Sequence, residues 1–373
     1  MRRLNRFPRP ALVFVLAATL TLAGCNQHGD APLGPAALAA VTPAAGPARE
    51  GIARAVDAFF TQAPLAETRA LLVLKDGRII AERYGDGYGP QTRLVSWSMA
   101  KTITGLMIGM LVADGRLRLD APVPIPAWQR TGDPRGVITL RQLLQMRSGL
   151  KHLEAGDPVY RSDEVRMLFL DGRDDMAAYA EAQPLVTAPG TKFVYSSNTA
   201  VILADLAARA LAPGGTPRQR RDAVRGYLQD RLFVPAGMTS MVPEFDAAGT
   251  LIGGSLIHGT ARDWAKFGEV LRNGGAANGV PLVPRSWVTF MTTPSPANPG
   301  YGAQTWLNRG AADKRMYPGA SAQAFSANGH LGQFIFVSPA QGLTIVRLGR
   351  TDEGKLDPVK AGIARLARVF PSR

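Results

Sequence analysis

The chain has 373 residues, 46% of them hydrophobic and 19% charged, with a formal net charge of +14. That balance excludes a disordered or fibrous chain and suffices to bury one large core or two interleaved ones. The only cysteine is Cys25, so disulfides and cysteine-ligated metals are excluded beyond it, and the basic residues are scattered rather than interleaved with aromatics, which argues against nucleic acid and leaves anionic envelope surfaces or acidic substrates as the milder inference.

Arg2, Arg3, Arg6 and Arg9 precede an apolar run from Ala11 to Leu22 that closes on Ala23-Gly24-Cys25. A charged start, an apolar middle and small closing residues make an export signal, and the run is shorter than the roughly 20 apolar residues of a spanning helix. Small residues before a lone cysteine resemble a bacterial lipoprotein signal. That resemblance implies cleavage of the peptide 1–25, lipidation of Cys25 and a lipid anchor in the bacterial cell envelope, facing the periplasm or the exterior. Residues 26–49 are rich in Ala, Pro and Gly and read as a flexible tether. Folded structure is expected from near Glu50 to the end of the chain.

Ala70 to Leu74 and Arg78 to Arg83 are strand-like runs separated by Lys75-Asp76-Gly77, and Asp-Gly supplies the positive φ angles of a tight hairpin. Met99 to Ala113 is largely apolar with good helix formers and stops at Asp114-Gly115, as a buried helix would. Its Gly105 and Gly109 fit a membrane dimer face, but the stretch is too short, and close packing in a core is the better reading. From Thr139 to Ala212 the pattern is helical with loops; a further helix is expected at Thr260 to Arg272. Strand signals return at Gln333 to Val337 and Leu343 to Leu348, so the sheet draws on both ends of the chain.

Serine followed three residues later by lysine occurs at Ser98-Met99-Ala100-Lys101 and again at Ser148-Gly149-Leu150-Lys151. The second copy contains a glycine after a helical run and reads as a helix stop. In the first, Ser98 opens a helix, where positions i and i+3 share a face and bring the amine to the hydroxyl. The helix N-terminus would favour a neutral lysine and an oxyanion, the logic of Ser-Lys nucleophiles; a capping serine with an exposed lysine gives the same pattern. Tyr195, in Lys192-Phe193-Val194-Tyr195-Ser196-Ser197-Asn198, lies at a junction into the Ala200 helix. A nearby ammonium would favour its phenolate and let it take the serine proton, while a packed tyrosine is the plainer alternative. Ser326-Ala327-Asn328-Gly329-His330-Leu331-Gly332-Gln333 has glycines that let backbone approach a ligand. Acyl transfer needs two amides aimed at the developing charge, Ser98 N–H being one and Asn328, Gly329 or His330 offering the other. His258 and His330 are pocket-lining candidates for which surface or packing roles are equally open. There is no Gly-x-Ser-x-Gly elbow and no His-Glu-x-x-His.

In order and spacing these three segments resemble the beta-lactamase-like serine hydrolases, a family with class C beta-lactamases, D-alanyl-D-alanine carboxypeptidases, esterases and 6-aminohexanoate-dimer hydrolases among its members. Leu143 to Leu150, Thr260 to Gly268 and Gly329 to Gln333 are most similar to the last branch. The resemblance covers roughly residues 65 to 350. It implies an α/β (α+β) fold of the beta-lactamase/transpeptidase type over residues 50–373: a central antiparallel sheet flanked by helices, with a mostly helical subdomain inserted at about 121–250. It further implies Ser98 as nucleophile, Lys101 and Tyr195 moving its proton, Ser197 beside them in the second motif, no metal and no cofactor. Two departures stand out: Ser197 replaces the asparagine of class C enzymes, and no Lys-Thr-Gly precedes His330. Loss of that lysine removes the cation that would hold a beta-lactam carboxylate, so a small amide or ester is the expected substrate. A D-alanyl-D-alanine carboxypeptidase, a beta-lactamase and a non-catalytic envelope binding protein are the competing readings.

Overall fold

The turn at Asp76-Gly77 adopts φ of 49° and 82° and pairs Lys75 directly with Arg78, the two-residue hairpin that Asp-Gly favours. A computed structural model of the chain describes residues 32–371; the export signal and Cys25 lie outside them. The hairpin strands Glu67–Lys75 and Arg78–Tyr84 form one edge of a six-stranded sheet. Beyond Glu67–Lys75 come Leu343–Arg350, Gln333–Ser338, Phe325–Gly329 and Trp306–Leu307, each antiparallel to its neighbour. The register Val73↔Ile345 joins the two ends of the chain at the centre of the sheet.

Side chains alternate between the faces of a strand, and here both faces are covered. Leu72, Leu74, Ile335, Val337, Val346 and Leu348 point into the larger core, which holds the helices Ala100–Ala113 and Ala261–Arg272. Leu71, Val73, Phe334, Phe336 and Ile345 point the other way, under the helices Arg49–Thr61 and Leu356–Arg368. Burial on both sides is why these strands read as nearly continuous apolar runs.

Ala100–Ala113 is buried from Ala100 to Leu111, as a helix apolar on all sides must be. Its two glycines explain themselves: the Trp287 indole lies across this helix and donates to the Gly105 carbonyl at 3.0 Å, and a β-carbon on Gly109 would sit 2.1 Å from the indole nitrogen. Among the described residues no helix is long and apolar enough to cross a membrane.

Between the strands Arg93–Val95 and Ile257–Thr260 the chain is mainly helical, with Leu140–Leu144, Asp163–Phe169, Met176–Glu181, Ser197–Leu211 and Pro217–Leu228 as its main helices. One expectation needs correction. The stretch read as a tether contains the helix Pro35–Ala39 and a 3-10 segment Pro43–Ala48, with Ala37 and Val41 buried. Val41 bridges to Ala81, and Arg49 donates to the carbonyls of Leu38 and Val41. Small apolar side chains that could not build a core of their own are sufficient to cover the edge of an existing one.

Candidate active site

Ser98 sits in the 3-10 turn Trp97–Met99 that feeds directly into Ala100–Ala113. Trp97 holds a φ of 44°, a conformation that costs a bulky residue about 1–3 kcal/mol and persists only when its surroundings impose it. They do so through fully buried Ser96: its hydroxyl donates to the Ser255 carbonyl at 3.2 Å and accepts from Ile257 N–H at 3.2 Å, and its amide donates to the Ile257 carbonyl at 2.9 Å. The turn is thereby stapled to the strand Ile257–Thr260. Ser98 itself remains partly accessible.

One helical turn on, the Lys101 ammonium is buried and donates to Ser98 Oγ at 2.8 Å, Ser197 Oγ at 2.8 Å and the Gly254 carbonyl at 2.9 Å. An ammonium has three N–H bonds and no acceptor, so three acceptors at these distances are the complete complement of a protonated lysine. Burial opposes that charge, but Tyr195, Glu154 and Glu164 outweigh it and hold the lysine above its ordinary value. The expectation of a neutral resting lysine is corrected: the charges that face it, ionised Glu154 among them, raise it instead.

Tyr195 precedes the helix Ser197–Leu211, capped by Ser196 Oγ, which accepts from Thr199 N–H at 3.0 Å. Its ring packs against Trp306 at 5.2 Å and edge-on to Tyr301 at 5.9 Å, with Lys101 Nζ 4.8 Å from its centroid. The phenol interacts with both Ser98 and Lys101. Burial raises it, against the lowering by Lys101, so the resting group is a phenol rather than the phenolate the lysine alone would favour.

Behind Lys101 stand two carboxyls that no sequence motif had marked. Glu154 accepts from Ser197 Oγ at 2.6 Å and from Ser197 N–H at 2.8 Å, is 2.5 Å from His152 Nε2 and 3.9 Å from Lys101 Nζ. Burial pushes it up, yet Lys101, His152 and the Ser197 hydroxyl bring it down to about 2. Glu164, in the first turn of Asp163–Phe169, lies 3.0 Å from Ser197 Oγ and 3.3 Å from Ser255 Oγ. Burial, followed by the Glu154 charge, holds it above the usual carboxylate range.

On the sheet side, the strand Phe325–Gly329 passes so close to the Ser98 turn that a β-carbon on Gly329 would lie 2.1 Å from the Ser96 carbonyl. The His330 ring meets Trp97 edge-on at 5.2 Å, and its Nδ1 is 2.7 Å from Glu353. Buried Arg347 fixes the turn, donating to the Gly332 carbonyl at 2.8 Å. Asn328 is different: strand alternation carries its side chain to the opposite face, where Oδ1 accepts from Tyr317 at 3.1 Å. His258 is engaged by Glu244 at 2.5 Å. The structure thus gathers Ser98, Lys101, Tyr195 and Ser197 at bonding distance or ring contact, brings Gly329 and His330 alongside, and leaves the side chains of Asn328 and His258 turned to other partners. In the second Ser-x-x-Lys copy, Ser148 Oγ accepts from Leu150 N–H and Lys151 is exposed.

A sheet closed from both chain ends over a buried helix that presents a serine at its N-terminus defines a protein of the beta-lactamase fold. The chain belongs to the Beta-lactamase family, whose model matches residues 56–368. It is 28% identical over 249 residues to a 6-aminohexanoate-dimer hydrolase of Paenarthrobacter ureafaciens, an alignment covering 62% of this chain and 61% of that enzyme. Among solved structures it is similar to a Bacillus anthracis protein provisionally named a 6-aminohexanoate-dimer hydrolase, with TM-score 0.65, 22% identity and coverage of 82% and 81% of the two chains. It also resembles a family VIII carboxylesterase, with TM-score 0.64, 16% identity and coverage of 87% and 98%. At such identities these structures bear on the fold alone.

Proposed function

We propose that the chain is an exported serine hydrolase, anchored to the cell envelope through Cys25, that cleaves a small amide or ester by way of an acyl-enzyme on Ser98. The observation that carries this reading is the 2.8 Å contact between Lys101 Nζ and an accessible Ser98 Oγ, with the Tyr195 phenol against both. In the resting state all three are protonated. Loss of one proton from the Lys101–Tyr195 pair gives a phenolate beside an ammonium, and the phenolate takes the Ser98 proton as Oγ attacks the carbonyl carbon. Ser98 N–H and the backbone after Asn328 would stabilise the oxyanion. The phenol then returns its proton to the departing amine or alcohol, and water attacks the acyl-enzyme by the same route.

The named activity of the Paenarthrobacter ureafaciens relative supports a linear amide, and the carboxylesterase neighbour an ester. The stretch Ser326-Ala327-Asn328 before Gly329 offers no cation for a beta-lactam carboxylate. The test is a panel of para-nitrophenyl esters, linear amides, D-alanyl-D-alanine peptides and a chromogenic cephalosporin, each given to the purified chain and to Ser98→Ala. Ester or linear-amide turnover that Ser98→Ala lacks supports the proposal. Turnover confined to the peptides or the cephalosporin moves the enzyme to the cell-wall branch, and none at all favours a binding protein.

A further inference from the structure

The Ser197 hydroxyl has three close side-chain neighbours: Lys101 Nζ at 2.8 Å, Glu154 Oε1 at 2.6 Å and Glu164 Oε1 at 3.0 Å. A hydroxyl carries one hydrogen and two lone pairs. One lone pair accepts from Lys101. The single hydrogen can serve only one carboxyl, and the shorter contact assigns it to Glu154, which also accepts from Ser197 N–H. The contact to Glu164 is then a hydrogen bond only if the carboxyl itself supplies the proton. Two carboxylates facing one hydroxyl would otherwise leave an oxygen–oxygen approach of 3.0 Å with no hydrogen between.

We propose that Glu164 is a positioning residue that carries a proton in the resting enzyme, donates it to Ser197, and through that hydroxyl sets how tightly Lys101 holds its own proton. The proposal rests on Ser98–Lys101 being the reactive pair. Glu164 faces Glu154 from the loop after Leu150, Lys101 from the central helix and His330 from the turn after Phe325–Gly329; Ser197 and Ser255 complete its surroundings. Tyr195 and His152 act on the same network through Lys101 and Glu154. While Glu164 is neutral, Lys101 sees one ionised glutamate. Once it ionises, a second negative charge faces the ammonium, and the proton that must leave the Lys101–Tyr195 pair before Ser98 can be activated is held more tightly. Glutamine preserves a neutral donor at this position and removes the titration.

The experiment is infrared difference spectroscopy of the full chain against Glu164→Gln, paired with kcat/KM for a para-nitrophenyl ester as a function of pH. Buried Glu181 is also raised, to about 8, and contributes a protonated carboxyl of its own, so the difference spectrum is required. The expected result is one protonated-carboxyl C=O band at neutral pH, present in the wild type, absent from Glu164→Gln and lost as pH rises. Over the pH interval in which the band disappears, the ratio of Glu164→Gln to wild-type kcat/KM should climb by about tenfold, the equivalent of one pKa unit on the lysine. A difference spectrum without that band overturns the proposal, as does a ratio flat with pH. Should the wild type hydrolyse no ester, the reading of Ser98 fails, while the infrared band still decides the protonation of Glu164. Should Glu164→Gln fold poorly, the pH titration of wild type labelled with carboxyl-13C glutamate decides in its place: a single site-shifted protonated glutamate besides Glu181 supports the proposal, and Glu181 alone overturns it.

Discussion

Three oxygens around Lys101 Nζ match the three N–H bonds of an ammonium, and the proton it keeps governs how the site responds to pH. Tyr195 is raised by burial and Lys101 by the charges that face it, ionised Glu154 among them, so both are protonated at neutral pH. The reactive form has one proton fewer. It follows that kcat/KM should rise with pH through neutrality into the alkaline range, and a pH–rate profile checks this; a profile that falls over that interval would contradict the protonation scheme. Tyr195→Phe keeps the ring packing on Trp306 and Tyr301 but removes the oxygen proposed to accept the Ser98 proton. Its kcat should drop by about 10²–10⁴-fold with melting temperature nearly unchanged. Equal losses of stability and activity would instead make Tyr195 a packing residue.

At the scale of elements, what was legible in the sequence was whatever local chemistry dictates. Asp76-Gly77 marked the hairpin, the largely apolar run announced the central helix, and Ser98 and Lys101, one turn apart, shared a helix face. Glu154 and Glu164 were not legible, because their approach to Ser197 is made by tertiary packing of a loop and a short helix. In sequence, Glu164 is an ordinary acid in a helix's first turn, where the dipole alone accounts for it. Gly253-Gly254-Ser255 was equally silent, although its backbone lies against Thr104 and Lys101 with no room for side chains at the glycines. The period of two turns the Asn328 side chain to the other side of the sheet from Gly329, where it meets Tyr317, so only its backbone stays a candidate for the oxyanion. The helix glycines yield a direct test. Gly109→Ala must displace the Trp287 indole, and overpacking of this kind costs about 1–3 kcal/mol, measurable by urea unfolding. An unchanged midpoint would show that Trp287 is not held where it lies.

Across the described residues, the helices Arg49–Thr61 and Leu356–Arg368 cover the same sheet face, and the segment from Pro35 packs into that cover. A separate buried cluster joins Glu181, Asp205, Arg209 and Arg220. Burial, with Asp205 adding to it, raises Glu181 from 4.5 to about 8. The unfolded chain releases this proton near the lower value and the folded protein only near the upper. Between them the native state binds more protons, so this group's contribution to stability falls as pH rises through the interval. Glu181→Gln should therefore gain about 1–3 kcal/mol over wild type around pH 9 and little at about pH 5, read as a shift in melting temperature. A pH-independent difference would mean that Glu181 is ionised throughout.

Trapping the acyl-enzyme bears most directly on the central claim. The purified chain and Ser98→Ala would be mixed with a slowly released para-nitrophenyl ester, quenched in acid and weighed intact, with the modified peptide then sequenced. A single acyl adduct is expected on the peptide containing Ser98 in the wild type and none in the variant. An adduct on another residue, or turnover undiminished in Ser98→Ala, would contradict it.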